Sequence, residues 1–453
     1  MPAMRLFLPL LTFLLASAPL GAQVILDPGF DADGRRTVSF DLDAAATDSA
    51  RRIFPTIGGG YLLVGQASSG SGIALALTRL TAGGQLDISF GTNGKRTYLV
   101  GIGAVIDAAQ DSQGRIIIVG TEAVTGGSDV FVTRILPNGD IDAGFGFLGL
   151  ARLNVLVQDE VLAVASGPQD EVLALLRARE TVNLGWAGYV AALDATGQNQ
   201  RFTVIGGTPE SGSGALAWSS GRNALLVGLS SSGSQTCNLG VYVVTLSGSG
   251  MALQLGSSFL GGVALSNTTN GCTQARITAV AAVPGSGAAL LAGHREDPGA
   301  PGSGQQRGLL LRIAAAGGSD PGFNGGGLRV EPAPFPATDL LFQALAVDPQ
   351  GNILVAGSSQ NSGGPTSRFV LWRYLPTGLP DTAFNAGTAN LSFSFANSGG
   401  LDSPLAVARD VRLVGSRILL AGRSRWAGAS DDDFAVAALT VPGVALFADG
   451  FEP

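Results

Sequence analysis

Hydrophobic and polar positions alternate in a pattern that returns along the whole chain. Six apolar runs end in glycine: Tyr61–Gly65, Ile116–Gly120, Ala224–Gly228, Ala289–Gly293, Ile353–Gly357 and Ile418–Gly422. A seventh, Val172–Leu176, lacks the glycine. Their last residues are 52 to 65 positions apart. Runs this short are predicted to be strands rather than helices, and their unbroken apolar character implies burial on both faces. Each is followed by a segment of period-two alternation, such as Val130–Leu136 or Phe369–Leu375. That period, with β-branched and aromatic residues, predicts a second strand. Turn residues close most of these strands, as in Pro137-Asn138-Gly139 and Pro376-Thr377-Gly378, where glycine and asparagine accept positive φ.

An Asp-x-x-Phe element comes next: Asp27 to Phe30, Asp87 to Phe90, Asp142 to Phe145, Asp320 to Phe323 and Asp381 to Phe384. In the fourth and fifth repeats it is worn, with Phe202 and Phe259 as the remaining candidates. A strand follows each element (Lys95–Val100, for example), and another precedes each glycine-ended run (Val105–Gln110). Each unit therefore carries four short strands in roughly 60 residues, the signature of a propeller blade. The fold predicted is all-β, a seven-bladed β-propeller, with a β-solenoid as the alternative. Residues 1–22 read as a signal peptide, 23–443 as the propeller and 444–453 as a C-terminal tail. Both end repeats carry four strands in this reading, so closing the ring requires no exchanged strand, although a permuted register remains open.

The repeat units resemble the delta-60 family of exported bacterial repeats. The likeness rests on Asp348-Pro-Gln-Gly351, Ile353–Gly357, Phe369-Val-Leu-Trp-Arg373-Tyr374 and Asp381 to Phe384, and is good in repeats one, two, six and seven. It implies an exported, propeller-like array and brings no catalytic residues.

Export is also the expectation from the N-terminus. Arg5 precedes the apolar stretch Leu6–Leu15, and small residues Ser17–Ala22 follow; the stretch is too short to span a bilayer. The expected location is outside the cytoplasm of a Gram-negative bacterium: periplasm, cell surface or medium. The tail, Val444–Pro453, resembles short endings found on such exported proteins.

Composition then narrows function. Only 13% of residues are charged, 67 are glycine, and the net charge is −7. No basic footprint for nucleic acid is present. The strand order puts two longer loops of each unit on one face, where ligand-binding residues tend to gather. Cys237 and Cys272, the only cysteines, fall on that face in adjacent blades, and an oxidising compartment favours a disulfide between them. Asp431 and Asp432 of the run Asp431-Asp432-Asp433, and the lone histidine His294, are candidate binding residues there. Asp31-x-Asp33-Gly34 mimics a calcium loop, but the same slot holds Gly91-Thr92-Asn93-Gly94 and Asn324-Gly325-Gly326-Gly327, so it reads as a turn. Arg79, Arg134, Arg312 and Arg373 each precede the Asp of their Asp-x-x-Phe element by eight residues. That spacing predicts an ion pair fastening turn to strand; the rival is an arginine ring around the channel. Asp27 is left without an arginine of its own.

No catalytic, cofactor or metal constellation emerges, and no cofactor is expected. The expected function is a secreted or surface binding or scaffold module for a protein, peptide or glycan, acting as a monomer. The alternative is a carboxylate-dependent hydrolase or lyase acting on an extracellular polymer.

Overall fold

A computed structural model describes residues 23–42, 47–69, 72–99, 103–181, 184–206, 212–232, 236–248, 254–266, 275–296, 304–332, 338–361, 366–395, 405–425, 429 and 431–441. The expected signal peptide, the whole tail and Cys272 lie outside them. Among the described residues there is no helix, and none is therefore long and apolar enough to cross a membrane.

In chain order, β1 (Ile25–Leu26) and β2 (Arg35–Val38) come first. Blade one is β3 (Asp48–Pro55), β4 (Tyr61–Ser69), β5 (Gly72–Leu80) and β6 (Lys95–Leu99). Blade two is β7 (Val105–Gln110), β8 (Ile116–Val124), β9 (Gly127–Ile135) and β10 (Leu150–Leu153). Blade three is β11 (Gln158–Ser166), β12 (Val172–Arg179), β13 (Ala187–Leu193) and β14 (Arg201–Ile205). Blade four is β15 (Gly214–Ser219), β16 (Ala224–Ser232), β17 (Thr236–Ser247) and β18 (Gln254–Ser266). Blade five is β19 (Arg276–Ala282), β20 (Ala289–Glu296), β21 (Gln306–Ile313) and β22 (Leu328–Glu331). Blade six is β23 (Thr338–Val347), β24 (Ile353–Asn361), β25 (Ser367–Tyr374) and β26 (Asn390–Phe393). Blade seven holds β27 (Leu405–Val414), β28 (Arg417–Arg425) and β29 (Asp433–Thr440).

Within every blade the strands are antiparallel neighbours in sequence order. The first strands, β3, β7, β11, β15, β19, β23 and β27, each touch the next, and β27 touches β3, so the ring is closed. The structure is the seven-bladed all-β propeller expected. The fourth position of blade seven is filled from the other end of the chain: β2 pairs with β29 through Arg35–Ala437 to Val38–Phe434, and β1 adds Ile25–Thr440 and Leu26–Leu439. Closure therefore does exchange a strand, contrary to the expectation. The repeat as read from sequence straddles two blades, because the strand after each Asp-x-x-Phe is the outer edge of the preceding blade.

In five of the six glycine-ended runs the glycine has a steric cause. Gly65, Gly120, Gly293, Gly357 and Gly422 lie opposite Ala50, Val105, Ile277, Phe342 and Ala408, where the inner strand forms a β-bulge. At these glycines an added Cβ would sit 1.8 to 2.3 Å from a carbonyl oxygen at or next to the inner strand. No side chain fits there. The bulge inserts one extra residue toward the channel edge of the sheet.

The Asp-x-x-Phe elements join neighbouring blades. Each Asp caps its own turn, as where Asp142 Oδ1 accepts from Gly144 N at 3.1 Å. The phenylalanines Phe30, Phe90, Phe145, Phe323 and Phe384 are all buried. Four of them seat a ring beneath a turn glycine of the next blade: Phe30 under Gly84, Phe90 under Gly139, Phe145 under Gly197 and Phe323 under Gly378. These glycines have φ between 77° and 92°, so both the backbone and the ring below exclude a side chain. The expected ion pairs form: Arg79–Asp87 and Arg134–Asp142 at 2.7 Å, Arg312–Asp320 at 3.0 Å and Arg373–Asp381 at 3.5 Å. Arg134 and Arg312 also donate to the next blade's turn, at the Ala195 and Pro376 carbonyls. Asp27 is paired after all, with Arg417 of blade seven at 2.6 Å. Arg417 further donates to the Tyr61 hydroxyl and the Ala82 carbonyl of blade one.

Phe202 and Phe259 do not occupy the phenylalanine slot. They lie on outer strands β14 and β18, 52% and 61% exposed. The contrast yields a prediction. Phe145→Ala should lower unfolding free energy by about 3–5 kcal/mol, as expected for a fully buried ring, whereas Phe202→Ala should cost no more than about 1 kcal/mol. Urea denaturation of the two variants measures the difference.

Candidate ligand site at the ring closure

Bulge residues line the channel side of the inner strands. In blades two, three, five and six they are Ile106, Leu162, Thr278 and Gln343; at the closure, in blades seven and one, they are Arg409 and Arg51. The neighbour of Arg51, Arg52, is committed to scaffold. It bonds Asp107 of blade two at 2.6 Å and Asp410 of blade seven at 3.3 Å. Asp107 and Asp410 also accept backbone amides from Val164 and Ile53 at 3.0 Å, so these inward carboxylates tie blades together. Burial opposes the charge on Arg52, but the two carboxylates outweigh it and raise its pKa.

Among the described residues, Arg51 and Arg409 have no such ion-pair partners. Both Nε atoms are shielded from water without a hydrogen-bond acceptor. Burial lowers the pKa of Arg51, which Asp107 opposes and Arg423 reinforces. Burial and then the charges of Arg51 and Arg423 push Arg409 down to about 9. Arg423 itself bonds Asp432 at 2.6 Å, and Arg425 bonds the other oxygen at 2.7 Å. Three guanidinium groups thus gather near one carboxylate at the loop-rich end of β3, β27 and β28. Like charges in partial burial repel, and a bound anion would relieve that repulsion.

The acidic run beside them is not the open loop expected. Asp432 is fully buried and serves as the anchor for Arg423 and Arg425, so it is unavailable as a loop-face binding residue. Asp431 is partly exposed, and Asp433 is buried at the head of β29. These two approach Asp41, with one carboxylate oxygen of each lying within 4.8 Å of the others. Asp48, 1% exposed, stands next to them. Its Oδ2 accepts from Phe40 N at 2.6 Å, while its Oδ1 has no partner. Burial, countered in part by that amide, and the charges of Asp433 and Asp41 raise the Asp48 pKa to about 7.

His294 lies inside β20, between Arg276 and Gly308 in the sheet, and is 9% exposed. That burial corrects its reading as a loop-face binding residue. Cys237 lies near the start of β17, its backbone opposite Leu265 of β18; its expected partner falls outside the described residues. The Asp31–Gly34 slot is a turn, with Asp31, Ala32 and Gly34 at φ of 47°, 66° and 81°, and Asp33 pairs with Arg35. A separate cavity of about 270 Å³ lies on the rim of blade four, lined by Tyr242, Phe259, Leu229, Asn238 and neighbouring glycines. Sequence reasoning missed the Arg51–Arg409 pair. Its signal was the bulge: Arg51 stands 14 residues before Gly65 and Arg409 stands 13 before Gly422.

One family model agrees with the architecture. A family described as a domain of unknown function (DUF5122) beta-propeller matches residues 112–145 and 349–384. A search of curated proteins found no match. Among solved structures, the chain is similar to the β-propeller domain of the Trilobed protease from Pyrococcus furiosus, at 8% identity and a TM-score of 0.42, covering 89% of this chain and 96% of that one. It is also similar to the GH93 α-L-arabinofuranosidase of Fusarium graminearum (13% identity, TM-score 0.37, 75% and 94% covered) and to the polysaccharide lyase Uly1 (9% identity, TM-score 0.42, 86% and 90% covered).

The environment of His294 makes stability depend on pH. Burial first, then the charge of Arg276, lowers its pKa from 6.5 to about 4, against a backbone hydrogen bond to Phe342. The unfolded chain then binds the proton more readily than the folded one. The stabilisation due to a neutral His294 is complete above about pH 6.5 and is lost as pH falls through about 4. Between pH 7 and pH 4.5 the protein should lose about 2–3 kcal/mol from this group. His294→Gln should lose correspondingly less over the same interval, read by urea denaturation at the two pH values.

Proposed function

We propose that this chain is an exported binding propeller that takes a carboxylate-bearing polymer at the channel mouth of its loop-rich face. The reading rests on one observation: Arg51 and Arg409 sit in adjacent inner-strand bulges with buried, unpartnered Nε atoms. A structural arginine is ordinarily matched by a carboxylate, as Arg52 is here. A pair left unmatched in partial burial costs stability, and its use is to receive an anion. The guanidinium fork suits a carboxylate in a bidentate manner. Arg423, held in place by Asp432, adds a third positive group. The hydrolase or lyase alternative has no free carboxylate pair behind it at Asp107 and Asp410, which are tied to Arg52 and to backbone amides.

Export enters this proposal through the N-terminal segment, and the repeats' likeness to the delta-60 family fits it. A Cys237–Cys272 bridge fits as well, since β18 ends at Ser266, one pair beyond the Cys237–Leu265 pair. Unfolded protein recovered from an oxidising compartment should titrate no free thiol, and two after reduction; two thiols before reduction would remove the bridge.

Binding is tested with a polyuronate and with polyglutamate, which separate glycan from peptide carriers of the same charge. Arg51→Gln with Arg409→Gln should weaken binding of the preferred polymer roughly 10- to 100-fold, the worth of a charged hydrogen bond or two, without loss of thermal stability. Rising salt should weaken the wild-type interaction in step. No binding of either polymer, or equal binding by the double variant, would sink the proposal.

A further inference from the structure

We infer that Asp41, Asp431 and Asp433, beside the buried Asp48, form a calcium site that locks the two ends of the ring. This site is separate from the arginine cluster and does not depend on it. The carboxylates come from three segments that closure brings together. Asp41 follows the exchanged strand β2, Asp48 opens β3 of blade one, and Asp431 and Asp433 lie at the head of β29, with which β2 pairs.

Distances fit a calcium ion. Oxygens bound at 2.3–2.6 Å can stand at most about 5 Å apart across the ion, and the three carboxylate oxygens lie within 4.8 Å of one another. Asp48 supplies an independent sign. A carboxylate 1% exposed ordinarily has both oxygens satisfied, yet its Oδ1 has no partner.

Another blade junction provides an internal control. Asp129 of blade two and Asp159 of blade three occupy the places of Asp433 and Asp48. There, Asp159 is satisfied on both oxygens, accepting from Val155 N at 2.7 Å on Oδ2 and from Leu156 N at 3.0 Å on Oδ1. Asn154 Nδ2 donates to Asp129 at 3.3 Å. The scaffold at that junction manages with two acids and an amide. At the closure, three carboxylates meet beside Asp48, and Ser39, in the place of Asn154, donates its hydroxyl to Asp41 at 2.5 Å.

Bound calcium would cross-link β2 to the blade it completes, and binding to the folded state alone raises stability by mass action. Full-length protein freed of metal with a chelator is titrated with calcium by calorimetry and by thermal melting. One calcium per chain is expected, with a Kd of about 10⁻⁴ to 10⁻³ M as for extracellular modules. Near 10 mM calcium the melting temperature should rise by about 2–5 °C. Asp41→Asn and Asp431→Asn should each weaken binding at least about tenfold and abolish the shift. Asp33→Asn, on the same N-terminal segment but outside the cluster, should do neither. Both test positions reach the surface, and far-UV circular dichroism verifies that the variants fold. Absence of saturable binding, binding unchanged in both variants, or magnesium binding as tightly as calcium would overturn the assignment.

Discussion

The seating of one blade's phenylalanine beneath the next blade's turn glycine is the contact on which the ring depends. A four-stranded sheet buries neither face by itself. Each blade must be held at a fixed angle to its neighbours, and a buried ring supplies much of that hold through apolar area removed from water. The contact also dictates the chemistry around it. The glycine must accept positive φ and lack a side chain, the Asp must fold its turn so that the ring points outward, and the arginine must anchor the Asp. Arg134 and Arg312 then reach the same neighbouring turn through its carbonyl oxygens. Blade four meets blade five without the phenylalanine; there the Leu260 carbonyl bonds Gly318 N at 3.3 Å. Phe384, facing blade seven, shares a cluster with Val24 and Val441 instead of sitting under a turn glycine.

Closure is where the repeat stops being a repeat. Blade seven lacks the arginine of blades one, two, five and six, because Ala438 stands where Arg79, Arg134, Arg312 and Arg373 stand. Arg417 supplies the charge from the neighbouring strand and joins Asp27, Tyr61 and Ala82 across the junction. Both unusual charge clusters lie at this same place, the arginines toward the channel and the carboxylates toward the rim. Asp432 stands between them, buried and bonded by two arginines. A scaffold under steric constraint at every other junction has room here for residues that the repeat does not prescribe. The proposed ligand site accordingly puts arginines at bulge positions that hold Ile106, Leu162, Thr278 and Gln343 in other blades, and the proposed ion site adds Asp41 and Asp431 to acids whose counterparts are Asp129 and Asp159.

Much of the scaffold was legible because each of its devices demands a particular residue type. Asp-x-x-Phe elements, core glycines and arginines recur at fixed spacing, since a bulge excludes a Cβ and a turn needs its cap. That spacing marked Asp31–Gly34 as a turn slot, and its φ angles are those of a turn. Legibility failed where a residue kept its type and lost its context. Phe202 and Phe259 are phenylalanines near the expected phase, yet both sit on outer strands facing solvent. Asp432 belongs to an acidic run, and only the fold shows that it is interior. His294 sits at the end of an apolar run, and strands β19 and β21 cover it on both sides.

By itself, the sequence determined the strands, their order, the seven-fold count and the pairs that act within a single unit. These are local or periodic, and a period of two or a fixed spacing of eight carries them. The tertiary structure alone decided which strand completes blade seven, which arginines are left unmatched and which carboxylates meet. Residues 27 and 417, or 51 and 409, are separated by almost the whole chain. Their encounter follows from closing a ring, and closure leaves no periodic mark on the residues it brings together.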